Sequence, residues 1–404
     1  MSGWVDTTLS KGYDYDFINA DVIEHMLSVK DGRLTLPSGT SYSLLVLPPS
    51  ESMRPAVLKR IKELIEQGAN VLGSPVNRSP SLADYPNCDN EIQTLANQMW
   101  GIPEVENNQA GTRELGLGKL FCNVPVNQVM KEIGCSEAVS FSKNVPVKWK
   151  QRTLRDGQLF FITNQGYSDI DFDARFRVEG HVPEIWNAVD GNSRYLPEYT
   201  HSDGHTIVPL KLRPAESCFI VFRNKKPKVK PAQKQNFPKE NLIATVTGNW
   251  DVSFYNKWTG EEFSVKMDSL SDWSRSEDQR IKYFSGTADF RTNFNLQGFP
   301  KDRKIFLTFE NLGVIASVNI NGHDIEQSVW SFPYKADITA YLQEGNNKLA
   351  VKVTNLWKNK IVGQSQSKST APNFFLLSRI NNLTDTDLLP SGIWGEVKIV
   401  DLLQ

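Results

Sequence analysis

Chemistry in a folded chain needs donor groups brought together, and a few stretches of this 404-residue sequence carry suitable types. His201-Ser202-Asp203-Gly204-His205 packs two imidazoles and a carboxylate into five residues, the ligand types of a zinc site. Asp-Gly is also the dipeptide of a hairpin turn, and no third or fourth ligand lies nearby in sequence, so a turn is expected. Glu179, His181 and Glu184 invite a glycosidase reading. That reaction needs two carboxyl groups about 5–5.5 Å apart for retention or about 6.5–9.5 Å apart for inversion. With 46 acidic residues some pair must fall in that range, so proximity has no weight and solvated loops are expected. Gly116-Leu117-Gly118-Lys119 resembles a phosphate loop but precedes a strand, where phosphate binding needs a helix N-terminus. No G-x-S-x-G elbow is present. Cys88, Cys122, Cys135 and Cys218 lack C-x-x-C spacing and read as isolated thiols. No catalytic residue and no metal ligand is assigned.

Sugar binding is the better-supported chemistry. It needs an exposed aromatic plane for the apolar face of a sugar ring, with amide or carboxylate groups beside it for the hydroxyls. Trp273, Trp330 and the set Asn355, Trp357 and Asn359 offer those groups. Each tryptophan also suits a hydrophobic core, and strand alternation puts Trp357 on the opposite face from the two asparagines.

The elements around these residues suggest a multidomain chain, α/β followed by all-β, because ~100–200 residues per domain gives two to three domains. Over residues 1–144 an α/β module is expected. Ile18 to Leu27 has helical spacing, and Tyr42 to Leu47 is a compact apolar strand ending at Pro48-Pro49. A helix follows, with Ser52 as its cap, Pro55 in its first turn, Leu58, Ile61, Leu64 and Ile65 inward, and Gly68 at its end. Ala69 to Gly73 completes a βαβ crossover; a helix from Glu91 to Trp100 and a strand from Lys119 to Val124 come next. Residues 145–224 alternate short strands with turns, as in a small antiparallel β-sandwich. Residues 225–240 are rich in Lys and Pro and read as a stiff, solvated linker.

The last region, 241–404, has the clearest pattern. Ile305, Leu307 and Phe309 alternate with polar neighbours, as do Val318 and Ile320; Asn321-Gly322 then supplies the two positive-φ residues of a type I′ turn. An antiparallel sandwich is predicted. Ten Trp and 21 Phe suit such a core. A net charge of -1 gives no electrostatic case for nucleic acid, and no run approaches the ~18 apolar residues of a membrane span. The N-terminus lacks a basic start followed by an apolar stretch, so no signal peptide is expected.

The motifs V-x-I-N-G, D-I-T-x-x-L-x-x-G-x-N-x-L-x-V-x-V and the closing L-P-S-G-I-W-G of Leu389 to Gly395 resemble the galactose-binding-like jelly roll of family 2 glycoside hydrolases. The whole chain resembles the post-barrel part of a family 106 glycoside hydrolase, the α-L-rhamnosidase-like group. That likeness rests on GYDYDFINADVI, VLKRIKELIEQGANVLG, LADYPNCDNEIQTLANQMWG, FRVEGHVPEIWNAVDG, VTNLWKNKIVG and LLPSGIWGEVKIV. It implies a flavodoxin-like α/β module, a small β-sandwich and a jelly roll, behind a catalytic (β/α)₈ barrel that carries the carboxylates and the family's calcium. No eight-fold strand–helix repeat, which takes ~250 residues, is visible here, so the chain reads as a fragment starting past the barrel. It implies no cofactor in this chain, carbohydrate and the barrel as partners, and a periplasmic or secreted bacterial parent enzyme acting on plant or microbial polysaccharide. Lys360 and Gln364 depart from the family's N-R-L-I-G-D pattern, and Lys in place of Arg loses the planar fork. A free-standing carbohydrate-binding protein and a complete small glycosidase with unplaced carboxylates are the alternatives.

Overall fold

The computed structural model describes residues 12–101, 111–224, 235–366 and 383–402. It divides into two compact units, Met1–Ser140 with Arg175–Arg177, and Phe141–Ala174 with Val178–Gln404.

In the first unit the apolar stripe of Pro55–Glu66 makes the expected helix, with Leu58, Ile61, Leu64 and Ile65 all fully buried. Its cap differs. Arg54 is the extended N-cap residue and supplies no side-chain bond, while Ser52 instead bridges Arg78. Pro55 suits the first helical position because its missing N–H has no intrahelical partner there anyway. Strands Leu45–Val46 and Asn70–Leu72 flank the helix and pair in parallel, as the βαβ reading requires. Gly118–Cys122 adds a third parallel strand, and Gly111–Leu115 closes the sheet antiparallel to it. Between the last two, Gly116 takes φ +62°, so the glycine pair is a hairpin turn. A Cβ on Gly118 would meet the carbonyl oxygens of Ile65 and Ala69. The apolar run from Tyr42 to Leu47 splits: Ser41–Tyr42 pairs antiparallel with Arg33–Thr35, and Leu45–Val46 alone enters the parallel sheet. The helix expected from Glu91 begins earlier, as Asn87–Trp100.

The described residues of the second unit are mostly strand, with short helices such as Lys358–Ser365. Ser193–Tyr195, Pro183–Asn187, Ser217–Arg223, Gly157–Asn164 and Val147–Leu154 lie in that order in a five-stranded sheet. Thr200–Ser202, His205–Leu212 and Ile170–Phe176 are neighbours in another. Alternation buries Phe160, Ile162, Ile220 and Phe222 of the first sheet and Phe172, Ala174, Val208 and Leu210 of the second.

Beyond them, a six-stranded sheet has the order Glu261–Met267, Trp250–Asn256, Thr287–Leu296, Gly345–Thr354, Ile315–Ile320 and His323–Asp324. Glu240–Thr245, Gly392–Leu402, Ile305–Gly313 and Lys335–Asp337 form a four-stranded sheet. Their apolar faces share one core that includes Trp250, Phe254, Phe290, Val351, Val353 and Ile399. Asn321 and Gly322 take φ 54° and 87° at the predicted hairpin turn. Most of the Lys/Pro run lies outside the described residues; near its end Gln235, Lys239 and Glu240 are exposed, but one residue is drawn inward. Asn236 is fully buried; its amide nitrogen donates to the Glu198 and Pro209 carbonyls at 2.7 and 3.1 Å.

Candidate functional site

Three of the five residues predicted to meet sugar are interior. Trp273 is 1% exposed and stacks on Phe290 at 6.1 Å, with Phe254 and Phe284 edge-on to it. Asn355 and Asn359 are 8% and 1% exposed. Asn355 accepts from the Gly286 N–H at 2.9 Å and donates to the Phe284 carbonyl at 2.9 Å. Asn359 accepts from the Leu389 N–H and donates back to the Leu389 carbonyl, both at 2.8 Å. Both amides also donate to the Ser391 hydroxyl at 3.2 Å, and Ser391 N–H donates to Asp272 at 2.9 Å. Buried amides must have partners, and here they fasten the L-P-S-G loop to the core. A Cβ on Gly392 would strike the Trp273 ring, which is why the motif carries glycine there. These residues form a structural knot buried in the core, with no exposed ring plane.

The Lys360 departure lies beside this knot. Lys360 is 1% exposed and its Nζ donates to both Glu261 carboxylate oxygens at 2.8 Å. On the other side, Asp385 accepts from Lys282 Nζ at 2.8 Å, Tyr283 Oη at 2.9 Å and Gln366 at 3.1 Å. Hydrogen bonds from Lys282 and Tyr283 hold the Asp385 carboxyl down at about 2. Burial, reinforced by Asp385, pushes the Tyr283 phenol up to about 12.

The other two candidates are at the surface: Trp330 is 54% exposed and Trp357, at the start of helix Lys358–Ser365, is 36% exposed. Strand register adds residues that the sequence reading missed. Tyr255 pairs with Thr287, Thr287 with Thr354, and Thr354 with Ile315. Directly opposed residues share a sheet face. The flanking Phe254, Ala288, Val353 and Ala316 point into the core, so this row faces outward. Ala316 bridges Val329, which places Trp330 next to Ile315 at the end of the row. Tyr255 and Ile315 are each 41% exposed, and Thr287 and Thr354 share a 2.8 Å hydroxyl hydrogen bond. Leu356 and Trp258, at 52% and 70%, follow the same strand ends. The alternation of WDVSFYN is the signal that could have found Tyr255, an aromatic at an outward position otherwise held by Asp251 and Ser253.

The polar clusters are turns and loops. Asp203 and Gly204 take φ 52° and 73° between strands Thr200–Ser202 and His205–Leu212; His201 Nδ1 lies 3.0 Å from the Thr206 hydroxyl and His205 Nδ1 2.5 Å from the Asp203 carbonyl. His181 sits between the Glu179 carbonyl and the Asn224 side chain at 2.6 and 3.0 Å, and Glu184 accepts from the Trp186 indole at 2.9 Å. Among the described residues no group of three or more His, Cys, Asp or Glu could hold a metal ion. No described helix is long and apolar enough to cross a membrane.

Comparison with known proteins gives a consistent picture. Residues 4–201 match the α-L-rhamnosidase model of glycoside hydrolase family 106, and residues 271–384 match a glycosyl hydrolase 2 galactose-binding domain-like model. A putative β-glucuronidase of Formosa agariphila is 31% identical over 97% of this chain and 53% of its own length. A β-galactosidase of Streptococcus thermophilus is 37% identical over 17% of this chain and 7% of its own. The solved rhamnosidase of Novosphingobium sp. PP1Y superposes with a TM-score of 0.78 at 28% identity, covering 98% of this chain and 37% of that one. The chain thus spans about half the curated relative and little more than a third of the solved enzyme. It is glycoside hydrolase-related, resembling family 106 α-L-rhamnosidases over residues 4–201 and the family 2 galactose-binding domain over residues 271–384.

Proposed function

We propose that this chain is the non-catalytic accessory region of a glycoside hydrolase of the α-L-rhamnosidase type acting on plant or microbial polysaccharide. It braces a catalytic barrel and contacts carbohydrate through its jelly roll. The observation that carries the reading is the match of 98% of this chain to only 37% of a solved rhamnosidase. In this reading residues 1–144 are a flavodoxin-like module, 145–224 a β-sandwich and 241–404 the jelly roll, and any calcium belongs to the barrel.

The test is to assay the purified chain on nitrophenyl α-L-rhamnoside, β-glucuronide and β-galactoside. No turnover is expected. Turnover abolished by substitution of one Asp or Glu would replace the accessory reading with that of a complete small glycosidase. The exposed aromatic row also favours a second reading, a carbohydrate-binding protein that works without a barrel.

A further inference from the structure

We propose that the outward row Trp330–Ile315–Thr354–Thr287–Tyr255 is a platform for an oligosaccharide or polysaccharide chain laid across the strands. This deepens the reading above and rests on its claim that the jelly roll contacts carbohydrate. Trp330 and Tyr255 stand at the two ends, 54% and 41% exposed, and supply ring planes for stacking. The paired Thr287 and Thr354 hydroxyls lie between them; both can accept from a sugar hydroxyl, and the one that accepts within the pair keeps its proton to donate. Adjacent strands are about 4.8 Å apart, so four intervals span about 19 Å, the reach of a short oligosaccharide.

The composition of the face favours a sugar over a docked protein domain. The five residues are uncharged with hydroxyls at their centre, and the exposed Glu262, paired with Tyr255 on the edge strand, adds one carboxylate that can accept from sugar hydroxyls. The next row on the same face is polar: Ser253 and Ser264 bond each other at 3.0 Å, and beyond Ser253 come Asp289, ion-paired to Arg291 at 2.7 Å, and Lys352. The apolar groups therefore do not continue down the sheet into the broad patch that a stable domain contact buries. Thr287, Ile315, Trp330 and Thr354 all fall within the segment that matches the galactose-binding domain-like model.

The experiment is affinity electrophoresis of the whole chain in gels containing soluble polysaccharides, with rhamnogalacturonan and galactan first. Retardation of the unmodified protein is expected. Trp330→Ala and Tyr255→Ala should each weaken it about three- to tenfold, the range that one aromatic contact contributes. Tyr341→Ala, which removes an exposed ring stacked on His323 at the far end of the sheet, should leave it unchanged. Unaltered urea midpoints would show that the variants fold. Retardation that survives both row substitutions would overturn the platform while leaving carbohydrate contact elsewhere on the chain. No retardation in any gel would overturn the platform and sugar contact together. If the row substitutions instead abolished binding to a separately expressed rhamnosidase barrel, the face would be a protein-docking surface. The accessory reading is judged separately, by the turnover assay.

Discussion

The Lys360–Glu261 pair gives a prediction whose direction comes from the unequal burial of its partners. The Lys360 side chain is 1% exposed and that of Glu261 15%. Glu261→Met would leave an ammonium enclosed with no carboxylate, at a cost of about 3–5 kcal/mol, as for other half-broken buried pairs. Lys360→Met is milder. The Glu261 carboxylate would keep its 2.7 Å bond from the Thr259 hydroxyl and some access to water. The loss should then be about 1–3 kcal/mol, the usual cost of removing one partner of a hydrogen-bonded buried group. The double variant removes both charges and puts two thioethers of similar length in their place, so it should lie within about 1 kcal/mol of the parent. Urea unfolding followed by tryptophan fluorescence measures all four proteins, since Trp250 and Trp273 are in the core of this domain. The reasoning fails if Lys360→Met proves as damaging as Glu261→Met, or if the double variant shows the sum of the two single losses.

Other consequences can be checked in the same way. Trp273→Ala should cost about 3–5 kcal/mol of stability, because it empties a core position, and should not change sugar retardation once the protein is folded. Asp385 has a folded value of about 2 against 3.8 when unfolded, so its stabilising effect is complete above about pH 4 and is lost as pH falls through 2. Tyr283 has the opposite sense: its contribution is complete below pH 10 and is lost as pH rises through about 12. Asp385→Asn should flatten the acid limb and, because the carboxyl is partly solvated, cost no more than about 1 kcal/mol at neutral pH by thermal melting. Gly118→Ala should prevent the first unit from folding normally, since its Cβ would press into the carbonyl oxygens of Ile65 and Ala69. Gly204→Ala, in open space at φ +73°, should cost only about 1–2 kcal/mol in the same denaturation series.

Much of the architecture could be read from local chemistry. Asn321-Gly322 specifies a turn through backbone freedom alone, and the spacing of Leu58, Ile61, Leu64 and Ile65 specifies a buried helix face; both are where the sequence reading put them. Ser52 looked like a cap because its side chain could serve as one, but the Arg78 bridge, a contact distant in sequence, claims that stretch. The same limit governed the sugar candidates. Tryptophan flanked by polar residues describes both a stacking plane and a core ring, and only tertiary packing separates the buried Trp273 from the exposed Trp330. Asn355 and Asn359 were chosen for amide chemistry, and amide chemistry is what they perform, Asn355 on the Phe284 backbone and Asn359 on the Leu389 loop. Tyr255 and Ile315 were missed because their proximity exists only in strand register.

The fastening of Asn236 bears on handling. The Asn224 N–H donates to the Asp156 carbonyl at 2.7 Å, and Asn236 is held by Glu198 and Pro209. Asn224 and Asn236, on either side of the Lys/Pro run, are therefore held by the same folded unit, so a chain cut between them should give two pieces that still migrate as one particle and separate only in denaturant.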